Sequence, residues 1–309
     1  MENQKFQNDS INIKEIFSIL WAKKFLIVLI SVISFVSSII YSLSLPDLYK
    51  STSVLSSTKT SGSNLGAVAS QYSGLANMVG ISIPSAASAD EVDEGIKIMQ
   101  SLDFFENFVK KYELLYELEA VSGWDKSSNK LINNSSMYDL NLNKWISNKK
   151  FSINGKPSYQ SAHRNFLKNF SIARDRNSGF VVLSFSHFSP NFAKKILELI
   201  VEELNQSFKE QDILVSNAAI ELLEKEVSKT SQAETKEILF NIIQSQFEKI
   251  TIAKATPDYL LKTLSAPMAP ELKNEPSRSI IVILATFLTF TIACFYFLVI
   301  HFIFKNKTD

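Results

Sequence analysis

Two long apolar runs, one near each end of the 309-residue chain, constrain its fold more than any other feature. Phe25 to Leu45 contains 21 residues without a charge and ends at Pro46, and Ile280 to Phe304 contains 25 residues interrupted only by His301. At a rise of about 1.5 Å per residue, each run is long enough to cross a hydrocarbon core of about 30 Å. A signal peptide has a shorter apolar stretch and a small-residue cleavage site, which Ser44-Leu45-Pro46 does not provide. The sequence therefore predicts two transmembrane helices.

Basic residues beside the two runs predict their orientation. The terminal sides carry more of them than the inner sides: Lys14, Lys23, Lys24, Lys305 and Lys307 against Lys50, Lys273 and Arg278. The positive-inside rule then places both termini in the cytoplasm. We therefore expect a cytoplasmic segment at 1–24, transmembrane helices at 25–45 and 280–304, an extracytoplasmic domain at 46–279 and a cytoplasmic tail at 305–309.

The ionisable residues argue against several classes of function. A net charge of +1 provides no basic stripe for phosphates, so nucleic acid is not an expected partner. One cysteine, Cys294, excludes an internal disulfide and suits a bacterial envelope protein, and three scattered histidines, His163, His187 and His301, predict packing or surface roles. The acidic pairs Asp90-Glu91 and Glu202-Glu203 are typical of capping or solvated charges. We predict no catalytic residues, no cofactor and no metal site.

The region between the runs has the mixed patterns of an α+β domain. They predict strands at Tyr49–Ser56, Phe170–Arg174, Phe180–His187 and Leu260–Ala266, and helices at Asp90–Val109 and Ser161–Asn169. The Ser/Gly/Ala-rich stretch Ser57–Ala89 predicts a long loop with a short helical turn near 66–78. The polar, Asn-rich stretch Gly123–Lys149 predicts a loop with short helical pieces.

One long helix dominates the second half of the chain. Ser189-Pro190 supplies a side-chain cap and a proline at the first helical position, and an apolar stripe without Gly or Pro then runs from Asn191 to Val227. Such a helix is about 55 Å long, more than the diameter of a compact domain of this size, so we expect part of it to project. Its stripe must meet another helix or a neighbouring subunit. Glu234–Ala253 is the candidate partner, which predicts a helical hairpin with unequal arms.

Small residues recur at short intervals inside both apolar runs. They are Ser31, Ser34 and Ser38 in the first run and Ala285, Thr289 and Ala293 in the second. Such rows let helices approach closely in lipid and favour oligomerisation, and simple tolerance of Ser and Ala in membrane helices explains them equally well.

Prolines gather just before the second apolar run. Pro267, Pro270 and Pro276 lie within ten residues, with Arg278 directly beyond them. Proline lacks a backbone N–H, so this segment cannot be the interior of a helix. It predicts a stiff, extended strut between the domain and the second transmembrane helix.

The order and spacing of these features resemble the polysaccharide co-polymerases, or chain length determinant (Wzz-type) proteins. The resemblance rests on four segments: Ile11–Ile16, Asp90–Tyr112, Gly179–Pro190, and the motif Ala266-Pro267-Met268-Ala269-Pro270 with its continuation Pro276-Ser277-Arg278. It implies an α+β protein of the bacterial inner membrane, in which two transmembrane helices flank a periplasmic α/β base with a long projecting helix and helical hairpin. It also implies that Pro267, Pro270, Pro276 and Arg278 form the family's membrane-entry motif.

The resemblance implies a function as well. Such proteins form bell-shaped homo-oligomers and set how many repeat units a polymerase adds to a surface polysaccharide such as O-antigen. The implied partners are further copies of the chain in a ring, an O-antigen-type polymerase, the growing lipid-linked polysaccharide and the membrane. The sequence has no G-x-x-x-x-G-K-[ST] phosphate loop, and five residues follow Phe304, so it resembles the kinase-free branch.

We therefore predict a non-enzymatic regulator of O-antigen chain length. One alternative is a capsule or exopolysaccharide component that works with a separate tyrosine kinase. Another is an envelope enzyme or sensor. The sequence offers no convergent catalytic groups for the former and no predicted output domain for the latter.

Overall fold

The computed structural model describes residues 13–58, 88–146, 152–153, 155–175 and 177–305. The chain divides into two units, Met1–Asp47 with Asn274–Asp309, here called the membrane unit, and Leu48–Lys273, here called the sheet unit. The helices are α1 (Ile13–Ala22), α2 (Lys24–Ser44), α3 (Ser88–Met99), α4 (Leu102–Lys111), α5 (Leu115–Glu119), α6 (Tyr159–Asn169), α7 (Pro190–Lys229), α8 (Ala233–Ala255) and α9 (Arg278–Lys305). The strands are β1 (Tyr49–Ser57), β2 (Val121–Asp125), β3 (Lys130–Asn133), β4 (Tyr138–Asp139), β5 (Lys144–Trp145), β6 (Ser152–Ile153), β7 (Lys156–Pro157), β8 (Phe170–Arg174), β9 (Val181–His187) and β10 (Leu261–Ser265).

The membrane unit contains α1, α2 and α9. Helix α2 and the part of α9 from Arg278 to His301 are each long and apolar enough to cross a membrane. Their bounds lie within a few residues of the predicted spans. Together with the mixed helices and strands of the sheet unit, they confirm the predicted fold class of an α+β chain with a candidate membrane helix towards each end.

The main sheet has four antiparallel strands in the order β10-β1-β9-β8. Tyr49 at the start of β1 pairs with His187 at the end of β9, and Ser265 at the end of β10 pairs with Val54. Strand β10 therefore runs towards the end of the sheet at which β1 begins. We call this the exit end, because the chain leaves the sheet there for both α2 and α9. The predicted strands and the predicted helix at Ser161–Asn169 are confirmed to within two residues.

The core of the sheet unit lies between the sheet and the helices α4, α6 and the first half of α7. Its fully buried large side chains include Leu55, Phe105, Phe108, Leu183, Phe185, Ile196, Ile200 and Leu204. Each such side chain contributes about 1.5–3 kcal/mol when it leaves water. Alternation along β9 places Val181, Leu183 and Phe185 on the covered face, as the sequence predicts.

Helix α7 is one continuous element of 40 residues, about 60 Å long. Ser189 Oγ accepts a hydrogen bond from the Phe192 N–H, and Pro190 occupies the first turn, so the predicted helix start is confirmed. The second half of α7 packs against α8 around a separate apolar cluster, Ile220, Leu223, Leu239, Ile243 and Ile250. The predicted hairpin with unequal arms is therefore confirmed.

The apolar stripe of the hairpin is covered only in part within the chain. Leu214, Val215 and Leu222 of α7 and Phe247 of α8 belong to it but are exposed, and the predicted alternative partner for them, a neighbouring subunit, stays a prediction. The buried row on α7 instead contains Ser216, Ile220 and Leu223. Apolar residues cover more than one face of α7 here, so periodicity alone does not select the face that meets α8.

Two further predictions are corrected. Asp90–Val109 is not one helix, because α3 ends at Met99 and Ser101 caps α4 by accepting a hydrogen bond from the Phe104 N–H. Within Gly123–Lys149, the described residues form the hairpins β2–β3 and β4–β5 rather than helical pieces. Asp125 and Asp139 each accept a hydrogen bond from the backbone N–H two residues ahead, which is typical of turns.

Most of the predicted loop at Ser57–Ala89, including its turn near 66–78, falls on residues 59–87, outside the described residues.

Candidate functional site

The membrane-entry motif is divided between the two units. Pro267 and Pro270 belong to the sheet unit, whereas Pro276 and Arg278 belong to the membrane unit. Residues 266–277, here called the proline segment, contain no helix. Its role as a stiff family motif stays a prediction.

Two buried serines of β1 hold the end of β10 and the chain that follows it. Ser51 Oγ donates a hydrogen bond to the Met268 carbonyl at 2.8 Å, and Ser53 Oγ donates to the Ser265 carbonyl at 3.0 Å. Both serines are at most 1% exposed. Their hydrogen bonds continue the contact between β1 and the chain after β10 ends, so the first part of the proline segment is fixed alongside β1.

Arg278 fixes the other part of the motif within the membrane unit. It lies in the first turn of α9, where its Nη2 is 2.9 Å from Asp47 Oδ1 and 3.4 Å from the Leu45 carbonyl. The ion pair joins the start of α9 to the residues that follow α2. Both side chains are about one-third exposed, so solvent screens the pair and its main effect is on geometry.

The small residues of the two apolar helices contact each other within the chain. Ser34 Oγ and Thr289 Oγ1 are hydrogen-bonded at 2.9 Å. Ser38 and Ala293 are buried in a pair of helices that is mostly exposed. The rows of small residues therefore serve the packing of α2 on α9, which explains them without a second copy of the chain.

Asn205 attaches β10 to the long helix. Its Oδ1 accepts hydrogen bonds from the N–H groups of Leu260 (2.8 Å) and Leu261 (2.9 Å), and its Nδ2 donates to the Leu261 carbonyl at 2.9 Å. Asn205 is 4% exposed, and both leucines are also buried. Asn205 is not among the residues predicted from the sequence, although an amide inside the apolar stripe of a helix is a usable signal.

Asp212 joins three segments at the base of the hairpin. Its Oδ2 accepts the Tyr259 hydroxyl at 2.5 Å, and its Oδ1 accepts from Lys249 Nζ of α8 at 2.7 Å. Burial, followed by the hydrogen bond to Asp212, raises the pKa of Tyr259 well above its usual range. The phenol therefore stays protonated and serves as a structural donor rather than as a base.

His187 is a buried, neutral histidine at the exit end. Its Nε2 is 3.1 Å from the Glu117 carbonyl of α5, and its Nδ1 accepts the Ser189 N–H at 3.1 Å. Burial lowers its pKa from 6.5 to about 4. A second ring proton, on Nδ1, would point at the Ser189 N–H, so that two hydrogen-bond donors would face each other. The predicted packing role is confirmed for this histidine.

Because His187 is buried and neutral, we expect the folded chain to lose stability in acid. Between pH 6.5 and about 4 the unfolded chain binds a proton at this residue that the folded chain does not, so stability falls as the pH drops through that window. The full loss is about 3 kcal/mol. Urea unfolding of the detergent-solubilised chain, followed by tryptophan fluorescence at several pH values, measures it.

The control is the His187→Gln variant, which keeps a polar side chain but cannot titrate. Subtracting its pH profile removes the contribution of carboxylates such as Asp125 and Asp175, whose pKa values are lowered by hydrogen bonds from nearby serines and backbone N–H groups. Parallel profiles of variant and wild type over pH 4–6.5 would contradict the assignment to His187.

Among the residues that the structure describes, the other ionisable groups form no catalytic arrangement. Within those ranges, no group of three His, Cys, Asp or Glu side chains is placed to hold a metal ion. A cavity of about 430 Å³ beside α7 is lined by Glu198, Glu202, Lys209 and Asp258 among others. The predicted absence of a catalytic or metal site stays a prediction.

The hairpin presents apolar side chains to solvent. On α8, Phe240 and Phe247 are 56% and 52% exposed and lie seven residues apart, so they share one face. On α7, Val215 and Leu222 repeat the same spacing and are each 49% exposed. Exposed apolar rows of this length are typical of surfaces that meet a partner.

Part of the chain is similar to a known protein family. The model of the Wzz family, the chain length determinant proteins, matches residues 9–112, about one-third of the chain. That range includes two of the segments on which the predicted resemblance rests, Ile11–Ile16 and Asp90–Tyr112, so the resemblance is confirmed there. The proline segment lies outside it.

Two solved structures are similar to the chain. One is a full-length bacterial polysaccharide co-polymerase, with 11% identity over 96% of this chain and 100% of that one, and a TM-score of 0.40. The other is a fragment of WzzB, a polysaccharide co-polymerase from Salmonella Typhimurium, with 14% identity over 74% of this chain and 100% of that one, and a TM-score of 0.30. No curated protein shows a significant match.

Proposed function

We propose that the chain is a non-enzymatic regulator of surface polysaccharide length, acting on the O-antigen of lipopolysaccharide. It works as a homo-oligomeric scaffold for the polymerase in the bacterial inner membrane, with both termini in the cytoplasm and the sheet unit in the periplasm. The observation that carries this proposal is the match of residues 9–112 to the chain length determinant family.

A scaffold needs surfaces for partners rather than reactive groups, and the hairpin has them. Phe240 and Phe247 are about half exposed, so burying the rest of each against a neighbouring copy stabilises the assembly by about 1 kcal/mol per side chain. Meanwhile Asp212, Tyr259 and His187 are all engaged in hydrogen bonds that hold the fold. The growing lipid-linked polysaccharide and its polymerase then meet the assembled ring.

The proline segment is proposed to fix the distance between the ring and the membrane. Pro267 and Pro270 restrict the backbone, the Ser51 hydroxyl anchors the Met268 carbonyl, and Arg278 pairs with Asp47. Each of these contacts reduces the number of conformations available to the chain between β10 and α9.

The proposal is tested by gel electrophoresis of lipopolysaccharide from the host with and without the gene. A band cluster of preferred length should spread into an unregulated ladder on deletion and return with the plasmid-borne gene. An unchanged ladder overturns the O-antigen assignment. An unchanged ladder with loss of capsule would instead favour the capsule or exopolysaccharide component that works with a separate kinase.

Self-association through the hairpin gives a second prediction. The double variant Phe240→Glu, Phe247→Glu should lower the mass of the detergent-solubilised complex and broaden the lipopolysaccharide ladder, because two buried apolar contacts become charged. The matched control Asn217→Glu, Asn241→Glu adds the same charge at exposed positions of the hairpin that lie outside its exposed apolar rows. If the phenylalanine variant keeps the wild-type mass, the subunits do not associate through this face.

A further inference from the structure

The exit end of the sheet is close to the membrane by chain length alone. Tyr49 begins β1 five residues after Ser44, the last residue of α2, and five residues span at most about 18 Å. The chain that follows β10 passes the same end, where the Ser51 hydroxyl holds the Met268 carbonyl. Groups at the exit end therefore lie where a lipid surface is within reach.

An aromatic pair occupies this end. The ring of Trp124 in β2 meets the ring of Tyr49 edge-on, with centroids 5.5 Å apart. Its indole Nε1 donates to Asn129 Oδ1 at 3.0 Å, and Asn191 Nδ2 donates to the same oxygen. Tryptophan and tyrosine combine an apolar ring with a polar group, which suits the boundary between lipid and water.

The hairpin β4–β5 is attached to the same end. Tyr138 packs on Tyr116 of α5, with ring centroids 4.9 Å apart, and the Asn133 side chain donates to the Tyr138 carbonyl at 2.8 Å. Helix α5 in turn binds the exit end through the hydrogen bond between His187 and the Glu117 carbonyl.

The turn of this hairpin exposes two leucines. Leu140 is 60% exposed and Leu142 is 66% exposed. Asp139 Oδ1 accepts the N–H groups of Asn141 (2.8 Å) and Leu142 (3.2 Å), so the turn is held in one conformation. Turns normally carry polar residues, and a fixed turn that presents two leucines to water needs an apolar environment to explain it.

Charge favours lipid over protein as that environment. The exposed lysines Lys126, Lys130 and Lys144 lie within the two hairpins. Asp125 and Asp139, the acidic residues of the same hairpins, are engaged by turn hydrogen bonds. Lysines beside exposed leucines and a Trp–Tyr pair are the combination found in interfacial anchors, where the ammonium groups meet anionic headgroups.

We propose that the β4–β5 turn inserts Leu140 and Leu142 into the headgroup region of the membrane, with the Tyr49–Trp124 pair at its boundary. The sheet unit then has a lipid contact separate from its two chain connections, which limits its tilt. This inference depends on neither the polysaccharide nor the polymerase, so it stands or falls apart from the proposed function.

The test uses the full chain with Cys294→Ser as background, reconstituted in vesicles with an excess of phosphatidylethanolamine over phosphatidylglycerol. An environment-sensitive fluorophore is attached to Leu142→Cys or, as the matched control, to Ser231→Cys in the exposed α7–α8 connection. Lipids that carry a spin label near the headgroup should quench the Leu142→Cys probe at least about twofold more than the control. Adding Leu140→Asp should reduce that quenching to the control level.

Equal quenching at the two positions would overturn the proposal. Persistence of the quenching in the Leu140→Asp variant would also overturn it, because insertion through the leucines requires both side chains. A probe at Leu142→Cys that is shielded from water but insensitive to the spin-labelled lipid would identify a protein occupant instead, and the lipid assignment would fail.

Discussion

The Asn205→Leu variant is expected to be about 3 kcal/mol less stable than the wild type. The substitution keeps the size of the side chain but leaves two N–H groups and one carbonyl, those of Leu260 and Leu261, without their partner. Each buried group that loses its hydrogen bond costs about 1–3 kcal/mol, and removing the buried amide recovers part of the sum. Both leucines are at most 1% exposed, so water does not replace the lost hydrogen bonds.

Urea unfolding of the full chain in detergent measures this loss as a lower transition midpoint. The neighbouring variant Gln206→Leu makes the same chemical change on a side chain whose hydrogen bond to Glu210 is exposed. Its stability should change by no more than about 0.5 kcal/mol. Equal midpoints for the two variants would mean that Asn205 does not anchor β10.

Shortening the hairpin is expected to abolish the preferred polysaccharide length. Replacing residues 220–243 with a four-residue Gly/Ser linker removes the distal arms but keeps the contacts of Asp212 with Lys249 and Tyr259. The distal arms carry Leu222 and Phe240, two of the exposed apolar residues that the proposed scaffold uses. The fraction of lipopolysaccharide in the modal bands should then fall several-fold, while the amount of protein in the membrane stays the same.

The control places the same linker at Thr230–Gln232, where it replaces the connection between α7 and α8 without shortening either arm. That variant should retain the wild-type ladder. An unaltered length distribution with the shortened hairpin, at normal protein levels, would exclude the distal arms as the length-determining element and direct attention to the sheet unit.

Local signals explain which elements the sequence predicts well. Helix α7 is predicted to within two residues because its cap, its first-turn proline and its apolar stripe are all contained in one segment. The hairpin β4–β5 is missed because each strand has two residues, too few for an alternating pattern. The break at Ser101 is missed because apolar residues remain in phase across it.

The residues of the candidate site also differ in whether the sequence alone indicates them. Pro267, Pro270, Pro276 and Arg278 are predicted from the sequence alone, since prolines before an apolar run are visible in it. Ser51 and Ser53 are not, because their partners lie 217 and 212 residues away and depend on the strand order β10-β1-β9. Asn205 needs a partner 55 residues away, and only the polar character of the residue within an apolar stripe indicates it.

An uninterrupted α7 has a mechanical consequence. The helix belongs to both apolar clusters, with Leu204 in one and Ile220 in the other, and no loop separates them. A force applied near Lys229 therefore bends one continuous helix, because no loop provides a hinge between the two clusters. Through Asn205 the load passes directly to β10, the strand that precedes the proline segment and α9.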